Sequence, residues 1–143
     1  GHLYENRITV HKQYGVLPQV ECYAGLLNQV FMNLLANAAQ AIPRKGNLWL
    51  TTSIQDPNPV PDQPRRICIS IRDDGRGIPV DVLPKIFDPF FTTKDVGEGT
   101  GLGLSISYGI IEKHQGEITV ASRVGEGTEF TVIIPQKLSK EKA

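Results

Sequence analysis

The sequence predicts an α+β fold in which a mixed, mostly antiparallel sheet is covered on one face by helices. The first observation is that six segments alternate apolar and polar residues, which is the two-residue period of half-buried strands. The second is that two longer segments repeat apolar residues at three- and four-residue steps, the period of an amphipathic helix. Strand and helix blocks in this order are typical of a two-layer α/β sandwich.

The first half of the chain contains four predicted strands and one long helix. The helix covers 25–42, where one apolar stripe is followed by Pro43 and Gly46, residues that end helices. The segment 56–65 holds four prolines, which cannot continue a sheet ladder, so we expect a protruding hairpin loop there and not a domain boundary. The four strands are predicted at 7–12, 19–23, 48–55 and 66–72.

The second half of the chain continues the same domain. Its predicted elements are a short helix at 80–87, irregular chain at 88–101, a second long helix at 102–114, and a closing hairpin of strands at 117–122 and 128–134. We therefore expect one domain over 1–143, with its core at about 5–135 and a charged tail at 136–143.

Composition excludes several classes of protein. The chain has 143 residues, 40% of them hydrophobic and 21% charged, as in ordinary globular proteins. Its net charge is zero and it has no basic block, so a nucleic-acid partner bound mainly by charge is not expected. No apolar run has the length of a membrane span. We expect Cys22 and Cys68 to be buried free thiols in a reducing cytoplasm, and the three scattered histidines give no metal-ligand spacing.

A glycine-rich stretch, 97–106, indicates a phosphate-binding loop. Four glycines fall within seven residues, and a helical pattern then begins abruptly. Unpaired N–H groups at a helix N-terminus can receive phosphate oxygens. The spacing matches neither the Walker loop nor the dinucleotide fingerprint. By itself the stretch is equally consistent with a mobile surface loop.

Two asparagines lie one turn apart on the first long helix, beside its apolar stripe. Asparagine forms helices poorly, so the pair Asn33 and Asn37 indicates a purpose. Their side-chain oxygens are ligands of the kind that a hard cation takes together with phosphates and water. A wetted helix flank is the alternative interpretation.

An acidic turn follows the predicted strand 66–72. The carboxylate of Asp73 could accept a hydrogen bond from the exocyclic amine of adenine, whereas guanine would present a carbonyl to it. Gly75 and Gly77 would let a flat base approach the backbone. The alternative is a plain Asp-Gly turn.

Aromatic residues cluster just before the glycine-rich stretch. Phe87, Phe90 and Phe91 precede a polar, irregular segment, where they could anchor a movable lid. Lys94 could then meet phosphate charge. The alternative is a small satellite hydrophobic cluster with a solvated lysine.

Taken in order, these motifs resemble the N, G1, F and G2 boxes of the catalytic, ATP-binding domain of sensor histidine kinases. A fifth motif resembles the terminal Gly-x-Gly-Thr-x-Phe of that domain, and the resemblance covers about 26–135. The wider GHKL family, with its Bergerat nucleotide fold, includes type II topoisomerases, Hsp90 chaperones and mismatch-repair ATPases. The five motifs are Asn33-Leu-Leu-Ala-Asn37-Ala, Asp73-Asp-Gly75-Arg-Gly77, Phe87-Asp-Pro-Phe90, Gly99-Thr-Gly101-Leu-Gly103-Leu and Gly125-Glu-Gly127-Thr128-Glu-Phe130.

The resemblance implies roles for individual residues. Asn37 would ligate the Mg²⁺ that bridges the ATP phosphates, with Asn33 supporting the phosphate or ion shell. Asp73 would hold the adenine amino group, and Thr128 would contact adenine through water. The base pocket would be lined by Gly75, Gly77 and Ile78, and the lid would be formed by Gly99, Thr100, Gly101, Leu102, Gly103 and Leu104, anchored by Phe87 and Phe90.

Two departures from the family pattern bear on mechanism. Many histidine kinases place an arginine after the F-box aromatic, but here Thr92, Thr93 and Lys94 follow, which resembles nitrogen-regulation-type kinases and assigns phosphate neutralisation to Lys94. Family ATPases carry a water-activating glutamate where this chain has Asn33, and an amide cannot act as a general base. Phosphoryl transfer therefore fits better than hydrolysis.

The resemblance also implies partners that lie outside this sequence. The acceptor would be a histidine in a separate upstream dimerisation domain, because no His-Glu or His-Asp pair occurs here. The parent kinase would also have the receiver domain of a response regulator as a partner. The present chain alone is expected to be monomeric and cytoplasmic. A related GHKL ATPase and an anti-sigma-type serine kinase module remain open alternatives.

Overall fold

A computed structural model describes residues 7–55, 64–89, 91 and 103–139. The helices are α1, Ala24–Ala41, and α2, Gly103–Lys113. The strands are β1, Ile8–Tyr14; β2, Gly46–Ile54; β3, Arg66–Asp73; β4, Glu117–Arg123; and β5, Gly127–Pro135.

The five strands form one sheet in the order β1-β2-β3-β5-β4. β1 pairs with β2 in parallel, and the three other pairings are antiparallel. The predicted mixed, mostly antiparallel sheet is therefore confirmed. In the register, Asp73 at the end of β3 faces Thr128 at the start of β5, and Thr128 faces Ser122 of β4. Three polar side chains thus meet at one end of the sheet.

The long helix α1 forms where its apolar stripe predicts it. Leu27, Val30, Leu34 and Ala38 are buried on one side of the helix. That side packs against α2, β3 and β5. At the C-terminal end of α1, the Arg7 guanidinium donates to the carbonyl oxygens of Ala39, at 2.8 Å, and Ile42. A cation at this position satisfies unpaired carbonyls and complements the helix dipole.

The core lies between the helices and one face of the sheet. Alternate residues of β3 and β5 point into it, as the two-residue period requires. The buried apolar residues of these two strands are Ile67, Ile71, Phe130, Val132 and Ile134.

A buried histidine joins the end of α2 to the start of α1. His114 is 1% exposed. Its Nδ1 lies 2.8 Å from the Ile110 carbonyl oxygen, and its Nε2 accepts the Tyr23 N–H at 3.0 Å. Because a carbonyl only accepts and an amide N–H only donates, the ring is neutral with its proton on Nδ1. His114 is thus a structural residue that holds the two helices together.

Three expectations are corrected by the structure. The segment 19–23 is not a strand: instead of a ladder, its Glu21 N–H donates to the Gln136 carbonyl oxygen at 2.8 Å and its Tyr23 carbonyl accepts the Leu27 N–H at the start of α1. The predicted short helix at 80–87 is reduced to one 3₁₀ turn, Leu83–Lys85, with a proline in its first turn. Cys22 and Cys68 are free thiols, as expected, but half-buried rather than buried.

Several predictions lie outside the described residues. They include most of the proline-rich loop at 56–65, most of the irregular segment at 88–101, and the end of the charged tail. In the ranges that the structure does describe, no helix is long and apolar enough to cross a membrane.

Candidate functional site

Asp73 is a buried carboxylate at the end of β3. It is 3% exposed, and its Oδ1 accepts the Gly75 N–H at 2.8 Å. Burial raises the pKa of Asp73, and the nearby Asp74 charge adds to this, against the lowering effect of backbone hydrogen bonds from Gly75 and Thr128. A buried carboxylate with a shifted pKa is typical of a functional site.

Asp74, the next residue, is exposed and fixes the turn. Its two carboxylate oxygens accept the backbone N–H of Asn47 at 2.7 Å and the Asn47 side-chain amide at 2.9 Å. Its slight burial acts to raise the pKa of Asp74, but these hydrogen bonds outweigh it, and the pKa is lowered. The two adjacent aspartates therefore have different environments, and Asp74 anchors the turn that Asp73 begins.

The glycines of this turn are required by the protein backbone itself. A Cβ at Gly75 would lie 2.3 Å from the Ala41 carbonyl oxygen. Gly77 has φ +75, and a Cβ there would lie 2.0 Å from the Arg123 carbonyl oxygen. Between them, the Arg76 N–H donates to the Ala41 oxygen at 2.9 Å. The loop is thus wedged between the end of α1 and the β4–β5 turn, a reason for glycine that differs from the approach of a flat base.

A hydroxyl network adjoins Asp73 on β4 and β5. Ser122 Oγ donates to the Gly127 carbonyl oxygen at 2.8 Å and lies 2.8 Å from Thr128 Oγ1. The Ile78 N–H donates to Ser122 Oγ at 2.8 Å. The sequence singled out Thr128 and Ile78 but missed Ser122, because a serine in an alternating strand carries no signal before the hairpin register is known.

An open cleft of about 400 Å³ lies beside Asp73, and its lining does not include Gly75, Gly77 or Ile78. Asp73, Ser122 and Thr128 contribute polar groups to it, and Leu83 contributes an apolar side chain. A cleft of this size is in the usual range for small-molecule sites, roughly 300–1,000 Å³.

Asn33 holds the first turn of α2. Its Nδ2 donates to the Gly103 carbonyl oxygen at 3.1 Å and to Ser107 Oγ at 3.2 Å. Ser107 is 0% exposed and donates to the same carbonyl at 2.8 Å. Since a carbonyl only accepts, the amide orientation of Asn33 is fixed, with Nδ2 toward α2. Ser107 was also missed by sequence reasoning, being one small polar residue in an apolar helix.

Of the remaining predicted site residues, the structure describes some and not others. Asn37 lies one turn after Asn33 on α1 and is half-buried. The ring of Phe87 lies 5.4 Å from that of Tyr108 on α2 and 6.4 Å from that of Phe130 on β5, and Leu104 packs against the core. Phe90, Lys94, Gly99, Thr100, Gly101 and Leu102 lie outside the described residues.

Known proteins are similar to this chain in sequence and in fold. The family described as "Histidine kinase-, DNA gyrase B-, and HSP90-like ATPase" matches residues 23–138. Sporulation kinase E of Bacillus subtilis is 40% identical over 126 residues, which are 88% of this chain and 16% of that protein. The histidine-protein kinase AtoS of Escherichia coli is 47% identical over 110 residues, 77% of this chain and 17% of that protein. The chain therefore spans less than a fifth of either relative.

Solved structures agree. The catalytic domain of histidine kinase ThkA matches with a TM-score of 0.77 and 32% identity over 94% of this chain and 83% of that one. Full-length ShkA, solved in complex with AMPPNP, matches with a TM-score of 0.77 and 26% identity over 98% of this chain and 28% of that one. The fold is that of histidine kinase catalytic domains, and the chain belongs to the histidine kinase-, DNA gyrase B- and HSP90-like ATPase family.

Proposed function

We propose that this domain binds Mg-ATP and donates the γ-phosphoryl group to a histidine of a separate dimerisation domain, as the kinase core of a two-component system. The observation that carries the proposal is Asp73, a buried acceptor beside an open cleft in this fold. The ShkA relative, which binds AMPPNP, supports a nucleotide as the ligand.

Asp73 would select adenine. An ionised carboxylate only accepts hydrogen bonds, so it pairs with an exocyclic amine and meets a carbonyl acceptor-to-acceptor. Burial strengthens both the pairing and the rejection, because an unpaired polar group in a low-dielectric site is costly. Thr128, 4% exposed and opposite Asp73 in the ladder, would take part beside it.

The residues on α1 fit an ion held jointly with phosphates. Among the residues described, no group of three or more His, Cys, Asp or Glu side chains could form a metal cage. Mg²⁺ is usually bound through few protein oxygens plus substrate phosphates, which suits the amide of Asn37. When bound, the ion would neutralise phosphate charge.

Asn33 would position α2 and would not activate a water molecule. Its amide donates to α2 at Gly103 and Ser107, and an amide has no basic group to remove a proton from water. This favours transfer to a protein acceptor over hydrolysis. Catalysis would then consist mainly of positioning and charge stabilisation.

The proposal also covers the lid, the state of the isolated domain and the partners of the parent protein. Lys94 would neutralise phosphate in a lid of the nitrogen-regulation type, formed by 88–101, that closes over the nucleotide. The chain 1–143 would form a single domain, monomeric on its own. Its parent would supply the acceptor histidine and the contact to a response regulator. Two free cysteines and the use of ATP favour a cytoplasmic location.

Calorimetric titration tests the proposal. The chain would be titrated with ADP and AMPPNP, each with and without Mg²⁺, and with GTP as the control nucleotide. Magnesium-dependent binding of the adenine nucleotides, with GTP much weaker, is expected. A folded chain that binds none of them, or that binds GTP equally well, would refute it.

A further inference from the structure

Ser122 stands at the centre of the hydroxyl network and has three polar neighbours. Its Oγ lies 2.8 Å from each of Ile78 N, the Gly127 carbonyl oxygen and Thr128 Oγ1. A serine hydroxyl offers one proton and two lone pairs. Three contacts therefore use the hydroxyl completely.

The chemistry of the neighbours decides where each proton lies. The Gly127 carbonyl has no proton, so Ser122 must donate to it. The Ile78 amide can only donate, so it occupies one lone pair of Ser122. The other lone pair is left for Thr128, which must therefore donate its own hydroxyl proton to Ser122.

A ligand in the cleft consequently meets two hydrogen-bond acceptors, Thr128 Oγ1 and the Asp73 carboxylate. The Thr128 proton is committed to Ser122, so Thr128 Oγ1 offers the cleft lone pairs only. Asp73, its partner in the ladder, is a carboxylate and also only accepts. Thr128 is 4% exposed and Asp73 is 3% exposed, so a ligand group that fails to pair with them cannot easily hydrogen-bond to bulk water instead.

The same polarity holds when a water lies between protein and ligand. A water that donates its two protons to Asp73 and Thr128 has only lone pairs left to offer. It can accept from an exocyclic amine and cannot donate to a carbonyl. Direct and water-mediated contacts thus favour the same kind of base.

We propose that Ser122 is a specificity-determining residue: by holding the Thr128 proton, it makes the cleft select purine nucleotides with an exocyclic amine over those with a carbonyl at that position. The inference rests on the proposed nucleotide function and assigns part of its selectivity to a residue whose own hydroxyl is fully hydrogen-bonded within the protein. In Ser122→Ala, the Thr128 hydroxyl is free to rotate and donate into the cleft.

Paired affinities for ADP and inosine diphosphate test this assignment, because inosine carries the carbonyl. The quantity measured is the Kd of inosine diphosphate divided by the Kd of ADP. In Ser122→Ala this ratio should fall roughly two- to ten-fold, the value of one neutral hydrogen bond. In a Thr128→Val background, Ser122→Ala should leave the ratio unchanged, since no threonine proton remains to be redirected.

A matched control removes another strand hydroxyl. Ser53 is exposed on β2 and does not line the cleft, so Ser53→Ala should keep the wild-type ratio. If Ser122→Ala does not fold, Ser122→Cys replaces it, because a thiol binds the threonine proton only weakly. The ratio should fall in that variant as well.

The outcomes separate the two levels of the argument. ADP binding with an unchanged ratio in a folded Ser122 variant overturns the role of Ser122 alone. An equal fall in the ratio with and without the Thr128 hydroxyl also overturns it. A wild-type chain that binds no ADP overturns the proposed function itself, and the role of Ser122 with it.

Discussion

Replacing Asp73 by asparagine should separate ligand affinity from stability. In the wild type, one carboxylate oxygen accepts the Gly75 N–H at 2.8 Å. Asparagine can keep this bond only by turning its carbonyl oxygen toward Gly75. Its NH₂ group then occupies the place of the second carboxylate oxygen, where it meets the adenine amine donor-to-donor.

The loss in affinity can be estimated from the bond that disappears. A hydrogen bond to a charged group contributes about 1.5–3 kcal/mol, so the Kd for ADP should rise roughly 10- to 150-fold. The free energy of unfolding should rise or stay unchanged: asparagine is a weaker acceptor for the Gly75 and Thr128 N–H groups, but the substitution also removes a charge that burial disfavours. Burial raises the pKa of Asp73, which shows that the fold disfavours its charged form, and asparagine carries no charge.

Titration calorimetry with ADP and denaturant unfolding at neutral pH measure the two effects. Asp81→Asn is the matched control, because Asp81 is exposed and its change removes the same charge. We expect the control to retain wild-type affinity. A folded Asp73→Asn protein with wild-type affinity for ADP, or one clearly less stable than the wild type, would refute the reasoning.

The remaining predictions concern pH and backbone contacts. Because the pKa of Asp73 is raised above 3.8 in the folded state, protonated Asp73 stabilises the fold; this stabilisation is fully present below pH 3.8 and is lost as pH rises through the folded-state pKa. The free energy of unfolding of the wild type should therefore fall across this window relative to that of Asp73→Asn. Affinity for ADP should rise over the same window as the carboxylate ionises. Gly77→Ala should lose at least about 2 kcal/mol in denaturant unfolding, because its φ is +75 and its Cβ would lie 2.0 Å from the Arg123 oxygen. Gly109→Ala, where a Cβ meets nothing within 4 Å, should instead gain about 0.5–1 kcal/mol, and loss of stability there would contradict the packing. Asn33→Ala gives up two hydrogen bonds to α2 and should lose about 1–3 kcal/mol in the same assay; an unchanged midpoint would remove Asn33 from the contact between the helices.

Periodicity predicted the helices and most strands because burial on one side determines both. The stripe Leu27–Ala38 placed α1 to within a residue at each end. The same logic gave the wrong answer at 19–23. Val20 and Cys22 pack against the core on one side and so alternate like a strand, but the segment forms no ladder with any of the strands in the described part of the chain.

The candidate site was predictable where chemistry follows a strand directly. Asp73 stood out as a carboxylate after an apolar run, and its burial agrees with that interpretation. Ser122 and Ser107 could not be found in this way. Their importance comes from neighbours distant in the sequence, Ile78 in one case and Asn33 in the other, which only the packed fold brings near.

The wedged loop after β3 has a consequence for local opening. Within this loop, Arg76 donates its N–H to the Ala41 carbonyl oxygen and accepts the Gly125 N–H, each at 2.9 Å, so neither α1 nor the β4–β5 turn can move away without breaking a hydrogen bond to the loop. Three segments far apart in the sequence should therefore open as one cooperative unit in native-state hydrogen exchange. A ligand bound at Asp73 would then slow exchange at the end of α1, which it need not touch.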